Sequence, residues 1–189
     1  MRRRSTIKLI ALGSGAVFAT PLVSSLFSSC KQEPNQEAYE PEFFLAEDMP
    51  LLASLVTVLI PETDSPAAAA VGVHKQLDHM IAGLYTSEEK DAFQSSFSAL
   101  KTYLNTAGEQ PFLDLDTEAQ EFVLQQLIRE NSNSTKTERD TLLSIKNQSV
   151  SYYLNTAEIA KNHLNYLPVP GPFLPCVPLE ELNGKAWAI

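Results

Sequence analysis

The chain has 189 residues, 44% of them hydrophobic and 20% charged, and its 14 Lys+Arg stand against 23 Asp+Glu for a net charge of −9. This excludes collagen-like, disulfide-scaffold and wholly disordered classes, and the acidic balance excludes a nucleic-acid partner, whose phosphates need a basic face. The 2 cysteines, Cys30 and Cys176, are too few and too far apart for a zinc ribbon, an iron–sulfur cluster or a disulfide framework.

The charge is unevenly spread. Residues 1–29 carry Arg2, Arg3, Arg4 and Lys8 and no acid; without these 4 bases, 10 Lys+Arg face the same 23 acids and −9 becomes −13. The arginines precede a weakly apolar stretch from Ile7 to Phe27, which reads as an export signal. Arg3-Arg4-Ser5-Thr6-Ile7-Lys8 follows the twin-arginine pattern of the route that carries folded proteins, with an ordinary secretion signal as the alternative. Cys30 follows the small Ser28 and Ser29, where a lipoprotein signal is cut and the thiol takes lipid. The other readings are cleavage without lipid or an uncleaved anchor, because the stretch approaches the roughly 20 residues that span a bilayer. Residues 30–42, with Pro34 and Pro41, form a flexible tether, and the membrane is a partner through the lipid. The mature domain is expected on the periplasmic side of a bacterial membrane.

Folding starts near Phe43. Leu51, Leu52, Leu55, Val58 and Leu59 recur at helical spacing, with Pro50 in a first turn and Pro61 as the stop. After the loop Pro61-Glu62-Thr63-Asp64-Ser65-Pro66, Ala67 to Ala70 predict a short helix that Gly72 ends. Leu77, Met80, Ile81 and Leu84 predict a helix over 74–85. Thr86-Ser87-Glu88-Glu89 starts a long one faced by Phe93, Phe97, Leu100 and Leu104 and closed by Gly108. A turn at Leu113-Asp114-Leu115-Asp116 leads to a helix faced by Ala119, Phe122, Val123 and Leu127. Helices over 138–154 and 156–164 complete an all-α bundle spanning 43–166. Residues 167–189 differ in kind. Pro168, Pro170, Pro172, Pro175 and Pro178 forbid a helix and favour an extended arm, with Phe173 and Trp187 among its apolar side chains. A stiff apolar arm loses little entropy on docking, so Pro170, Phe173, Pro175, Cys176, Pro178 and Trp187 are the candidate partner-docking residues. Docking against its own bundle is the alternative.

Chemistry is sparse. His74 and His79 are about 140° apart around a helix and share no metal-binding face; with His163 they read as surface histidines. Cys176 is expected to be a thiol buried against protein, with a reactive group as the alternative. Glu62 and Asp64 are the one acid pair worth weighing, and a capping role for Asp64 accounts for it. No phosphate loop, GxSxG, dinucleotide fingerprint or CxxCH occurs. No catalytic, cofactor-binding or metal-binding residue is therefore assigned.

The Ile60-Pro61-Glu62-Thr63-Asp64-Ser65-Pro66-Ala67 pattern followed by Gly72-Val73, the twin-arginine-like start, and the tail Pro168-Val169-Pro170-Gly171-Pro172-Phe173-Leu174-Pro175-Cys176-Val177-Pro178 with Lys185-Ala186-Trp187 resemble the gluconate 2-dehydrogenase subunit 3 family. Ala67 departs from the Gly often found there, and the Cys30 lipid signal is not general to the family. The resemblance implies a non-catalytic small subunit of a membrane-associated sugar or polyol dehydrogenase. In such complexes a separate flavoprotein of the glucose-methanol-choline (GMC) type binds FAD, and a cytochrome c subunit with haem c often accepts the electrons. The small subunit would carry the export signal for the folded flavoprotein and stabilise it. The competing expectations are a lipid-anchored enzyme in its own right, using Glu62, Asp64 or Cys176, and a ligand-binding or scaffolding envelope lipoprotein.

Overall fold

A computed structural model describes residues 39–108, 110–130, 132–169, 171–172 and 176–188. Among these the secondary structure is six α-helices: α1 (Met49–Leu59), α2 (Val73–Leu84), α3 (Ser87–Ala107), α4 (Thr117–Arg129), α5 (Lys136–Asn155) and α6 (Ala157–Asn162). Two short 3-10 turns, Phe112–Asp114 and Leu179–Leu182, accompany them, and no strand ladder forms among the described residues. The all-α expectation is correct. None of these helices is long and apolar enough to cross a membrane.

Local signals set most boundaries. Pro50 sits in the first turn of α1, where its missing N–H costs nothing, and Pro61 follows the last turn. Thr86 and Glu89 form a reciprocal capping box at the start of α3, which satisfies two N–H groups the helix itself cannot reach. Asp116 caps α4 by accepting from the Ala119 N–H at 2.8 Å, and Thr156 caps α6 while ending α5.

One expected helix is absent. Ala67 to Ala70 fold as successive turns instead, closed by bonds from Ala70 N–H to the Ala67 carbonyl and from Gly72 N–H to the Ala69 carbonyl. Alanine propensity is too weak to nucleate a helix over so few residues between Pro66 and Gly72. Gly72 does not end a helix; it starts α2 from the left-handed region at φ +80°, a conformation that disfavours any side chain. Asp64 therefore has no adjoining helix to cap, and both it and Glu62 are exposed.

The core is one cluster. Leu52, Leu55 and Val56 of α1, Leu77 and Ile81 of α2, Phe97, Leu100 and Leu104 of α3, Leu127 of α4, and Leu142 and Ile145 of α5 are buried together. Helix α5 packs against all the other helices, although its sequence is mostly polar. It manages this with a narrow stripe of Leu142, Ile145, Ser149 and Tyr153 at spacings of three and four. Phe122, expected on the inward face of α4, is instead 60% exposed.

The leading segment is strapped down by a buried acid. Asp78, fully enclosed on α2, accepts from the backbone N–H groups of Glu42, Phe43 and Phe44 at 2.7, 2.9 and 2.7 Å. Phe43 and Phe44 then meet Phe93 and Phe97 of α3 edge-on, with centroids 4.9–6.1 Å apart. Asp48, also buried, pairs with Lys101 of α3, whose pKa this hydrogen bond raises.

Candidate partner interface

Two segments carry the distinctive sequence features outside the helices: the loop Ile60–Gly72 and the chain that follows α6. The first is built from its backbone outward. The Ala68 N–H donates to the Ile60 carbonyl at 3.1 Å, which pinches the loop shut, and Ala68 is fully buried beneath it. The Tyr153 hydroxyl of α5 lies 2.8 Å from both Ser65 Oγ and the Pro66 carbonyl, fixing the loop to the bundle. Between this loop and the α5–α6 junction lies a cleft of about 470 Å³, lined by Pro66, Ala70, Val71, Thr156, Ala157 and Glu158. Its side chains are small and mostly apolar, with one carboxylate and no nucleophile or metal-ligand set. The loop's geometry is that of a brace.

The second surface is an almost closed loop. After α6, the Asn165 N–H donates to the Ala186 carbonyl at 2.8 Å and the Ala188 N–H returns to the Asn165 carbonyl at 3.0 Å, a parallel bridge between Asn165 and Trp187. The Asn165 side-chain amide adds bonds to the carbonyls of Leu182 (3.1 Å) and Lys185 (2.7 Å), and Lys185 Nζ reaches the Asn162 carbonyl at 2.9 Å. The end of the arm is thus hooked to the chain that leaves its own bundle. Tyr166, Leu167, Val169, Leu179 and Trp187 are 45–85% exposed along the loop, beside the exposed Glu180, Glu181 and Lys185. Scattered exposed apolar residues are ordinary on a protein surface; here several of them lie on the chain that the Asn165 bridge ties together.

Of the proposed docking residues, Cys176, Pro178 and Trp187 are described, and all three are exposed. Cys176 is a free thiol on the surface, not the buried one expected, because the arm passes outside the core. Pro170, Phe173 and Pro175 lie outside the described residues, as do the export-signal residues Arg3 and Arg4 and the lipidation candidate Cys30.

The histidines separate. His79 is exposed and its Nδ1 lies 2.8 Å from Glu42 Oε1. His74 departs from the surface reading: it is half-buried with Nδ1 enclosed and unpartnered among the described residues, and burial, then the nearby Lys75 charge, lower its pKa. No group of three or more metal-ligating side chains occurs among the described residues.

A family model for gluconate 2-dehydrogenase subunit 3 matches residues 46–171, two-thirds of the sequence. The chain belongs to the gluconate 2-dehydrogenase subunit 3 family. The matched span holds the whole helical bundle from α1 to α6, the braced Ile60–Gly72 loop and Asn165. It stops at Gly171, so the rest of the arm, which shares in the sequence resemblance, falls outside it. No curated protein and no solved structure matches the chain. Membership makes the chain a subunit of that dehydrogenase complex, with dehydrogenase subunits as its partners.

The asparagine clasp and the Asp78 strap are two interactions that sequence reading missed. Both join residues 17 or more apart in sequence, through side chains with no motif to flag them.

Proposed function

We propose that this chain is the non-catalytic small subunit of a periplasmic, membrane-associated, FAD-dependent dehydrogenase acting on gluconate or a related sugar, and that it supports export and stability of a GMC-type flavoprotein. Family membership over residues 46–171 is the observation that carries this reading. The arm clasped at Asn165, with Tyr166, Leu167, Val169, Leu179 and Trp187 exposed along it, supports it because a chain already tied in place loses little entropy on docking. FAD would reside in the flavoprotein and haem c in a cytochrome subunit. Arg3 and Arg4 would direct the folded pair outward, and Cys30 would hold it at the membrane through lipid.

The test is deletion of residues 168–189 in cells that co-express the flavoprotein. The flavoprotein should be lost from a pull-down while circular dichroism of the truncated chain stays helical. Undiminished co-purification would refute the arm's role. Replacing Arg3 and Arg4 with Lys should leave both subunits in the cytoplasm, and normal export of the flavoprotein would contradict the carrier role.

A further inference from the structure

A second exposed apolar feature lies away from the arm. The end of α3, the 3-10 turn and the first half of α4 enclose a groove of about 490 Å³, with Leu115, Ala119, Phe122 and Val123 along it and Asp114 and Asp116 at its rim. Phe122 is 60% exposed, and Leu113, next to the groove in sequence, is 47% exposed. No basic side chain lines it. Between Lys101 and Arg129 the sequence contains Glu109, Asp114, Asp116, Glu118 and Glu121 and no Lys, Arg or His. Asp116 spends one carboxylate oxygen on the Ala119 N–H as the α4 cap; Glu118 and Asp114 are exposed.

We propose that this groove receives a Lys- or Arg-bearing amphipathic segment of another subunit of the dehydrogenase complex, with an apolar side chain against Phe122 and its bases against the acidic rim. This rests on the reading that such a subunit binds the chain. Charge complementarity selects the occupant: a positive partner is steered to the rim, whereas like charges facing each other disfavour pairing. A second copy of this chain would bring the same acids face to face, and an anionic bilayer would be repelled. Exposed aromatic side chains such as Phe122 are also enriched at protein interfaces, whose rims are polar.

The experiment uses the full complex purified with the photo-crosslinking residue p-benzoyl-phenylalanine at position 122, and separately at Val150 on α5, which is also exposed. Illumination should join position 122, and not position 150, to a Lys- or Arg-containing peptide of a dehydrogenase subunit. The double variant Asp114→Lys/Phe122→Ala should weaken the complex roughly tenfold or more at low salt, with unchanged helicity, and the loss should shrink as salt screens the charges. If the complex forms but position 122 gives no adduct, joins a second copy or lipid, or the double variant binds as wild type does, the groove assignment is wrong and the subunit reading stands. If no dehydrogenase subunit co-purifies with the unmodified chain, the subunit reading fails and takes the groove with it.

Discussion

Asn165 and Trp187 form a parallel bridge that closes residues 166–186 into a loop, and the Asn165 side chain reinforces it through the carbonyls of Leu182 and Lys185. Asparagine suits this place because its amide carries two donors while its backbone supplies a donor and an acceptor to the bridge. Asn165→Ala removes both side-chain bonds, each worth about 1 kcal/mol net. The expected result is local: amide exchange at Ala188 and Lys185 accelerates by roughly tenfold or more, with the thermal midpoint of the bundle nearly unchanged. A large fall in midpoint would mean that the loop is part of the cooperative core.

Asp78 and the backbone of Glu42, Phe43 and Phe44 make the opposite case, a clasp within the core. Asp78→Ala leaves buried N–H groups without their acceptor and should destabilise the protein by about 3 kcal/mol, measured by urea denaturation. Asp78→Asn, which keeps one acceptor oxygen, should cost less. Equal stability of Asp78→Ala and wild type would show that these bonds are dispensable.

Ser149 sits fully enclosed on α5, and its Oγ has no hydrogen-bond partner among the described residues. Its small size lets α5 approach its neighbours, but its hydroxyl contributes a desolvation cost. Ser149→Ala keeps the close approach and removes the unpaired group, and should raise stability by about 1 kcal/mol in the same denaturation experiment.

His74 gives the fold a pH dependence of definite sign. Its folded-state pKa lies below the ordinary 6.5 because burial disfavours the imidazolium, so the unfolded chain binds the proton more readily. Stability is therefore intact above about pH 6.5 and declines as pH falls through that value toward the lowered folded pKa. Replacing His74→Gln should flatten the stability profile below about pH 6.5 relative to wild type. An NMR titration placing the His74 pKa at or above 6.5 would contradict the burial argument.

The legible part of the fold was whatever is written in short-range code. The capping box at Thr86 and Glu89, Pro61 after α1, and Thr156 between α5 and α6 are local signals, and each boundary falls where they put it. Ala67 to Ala70 misled because propensity was read without the turn bonds that Pro66 and Gly72 impose. Phe122 misled because its spacing fits an inward face, while the groove beside it leaves it in solvent. Asp78, Asn165 and Tyr153 were illegible for another reason. Each acts on backbone or side chains many residues away, and no periodicity records such a pairing. On the functional side, the Ile60–Val73 pattern was informative because turns, a buried alanine and a left-handed glycine together constrain it.

Under the proposed function, this chain works as a subunit bound to a flavoprotein dehydrogenase. The most direct measurement is affinity purification of the full-length chain from detergent-solubilised membranes, followed by subunit stoichiometry and flavin content of the purified material. The expected result is a fixed ratio of this chain to a larger flavin-containing subunit, with dehydrogenase activity that follows the complex. Purification of the chain alone and flavin-free, while the flavoprotein is exported, active and stable in its absence, would contradict it.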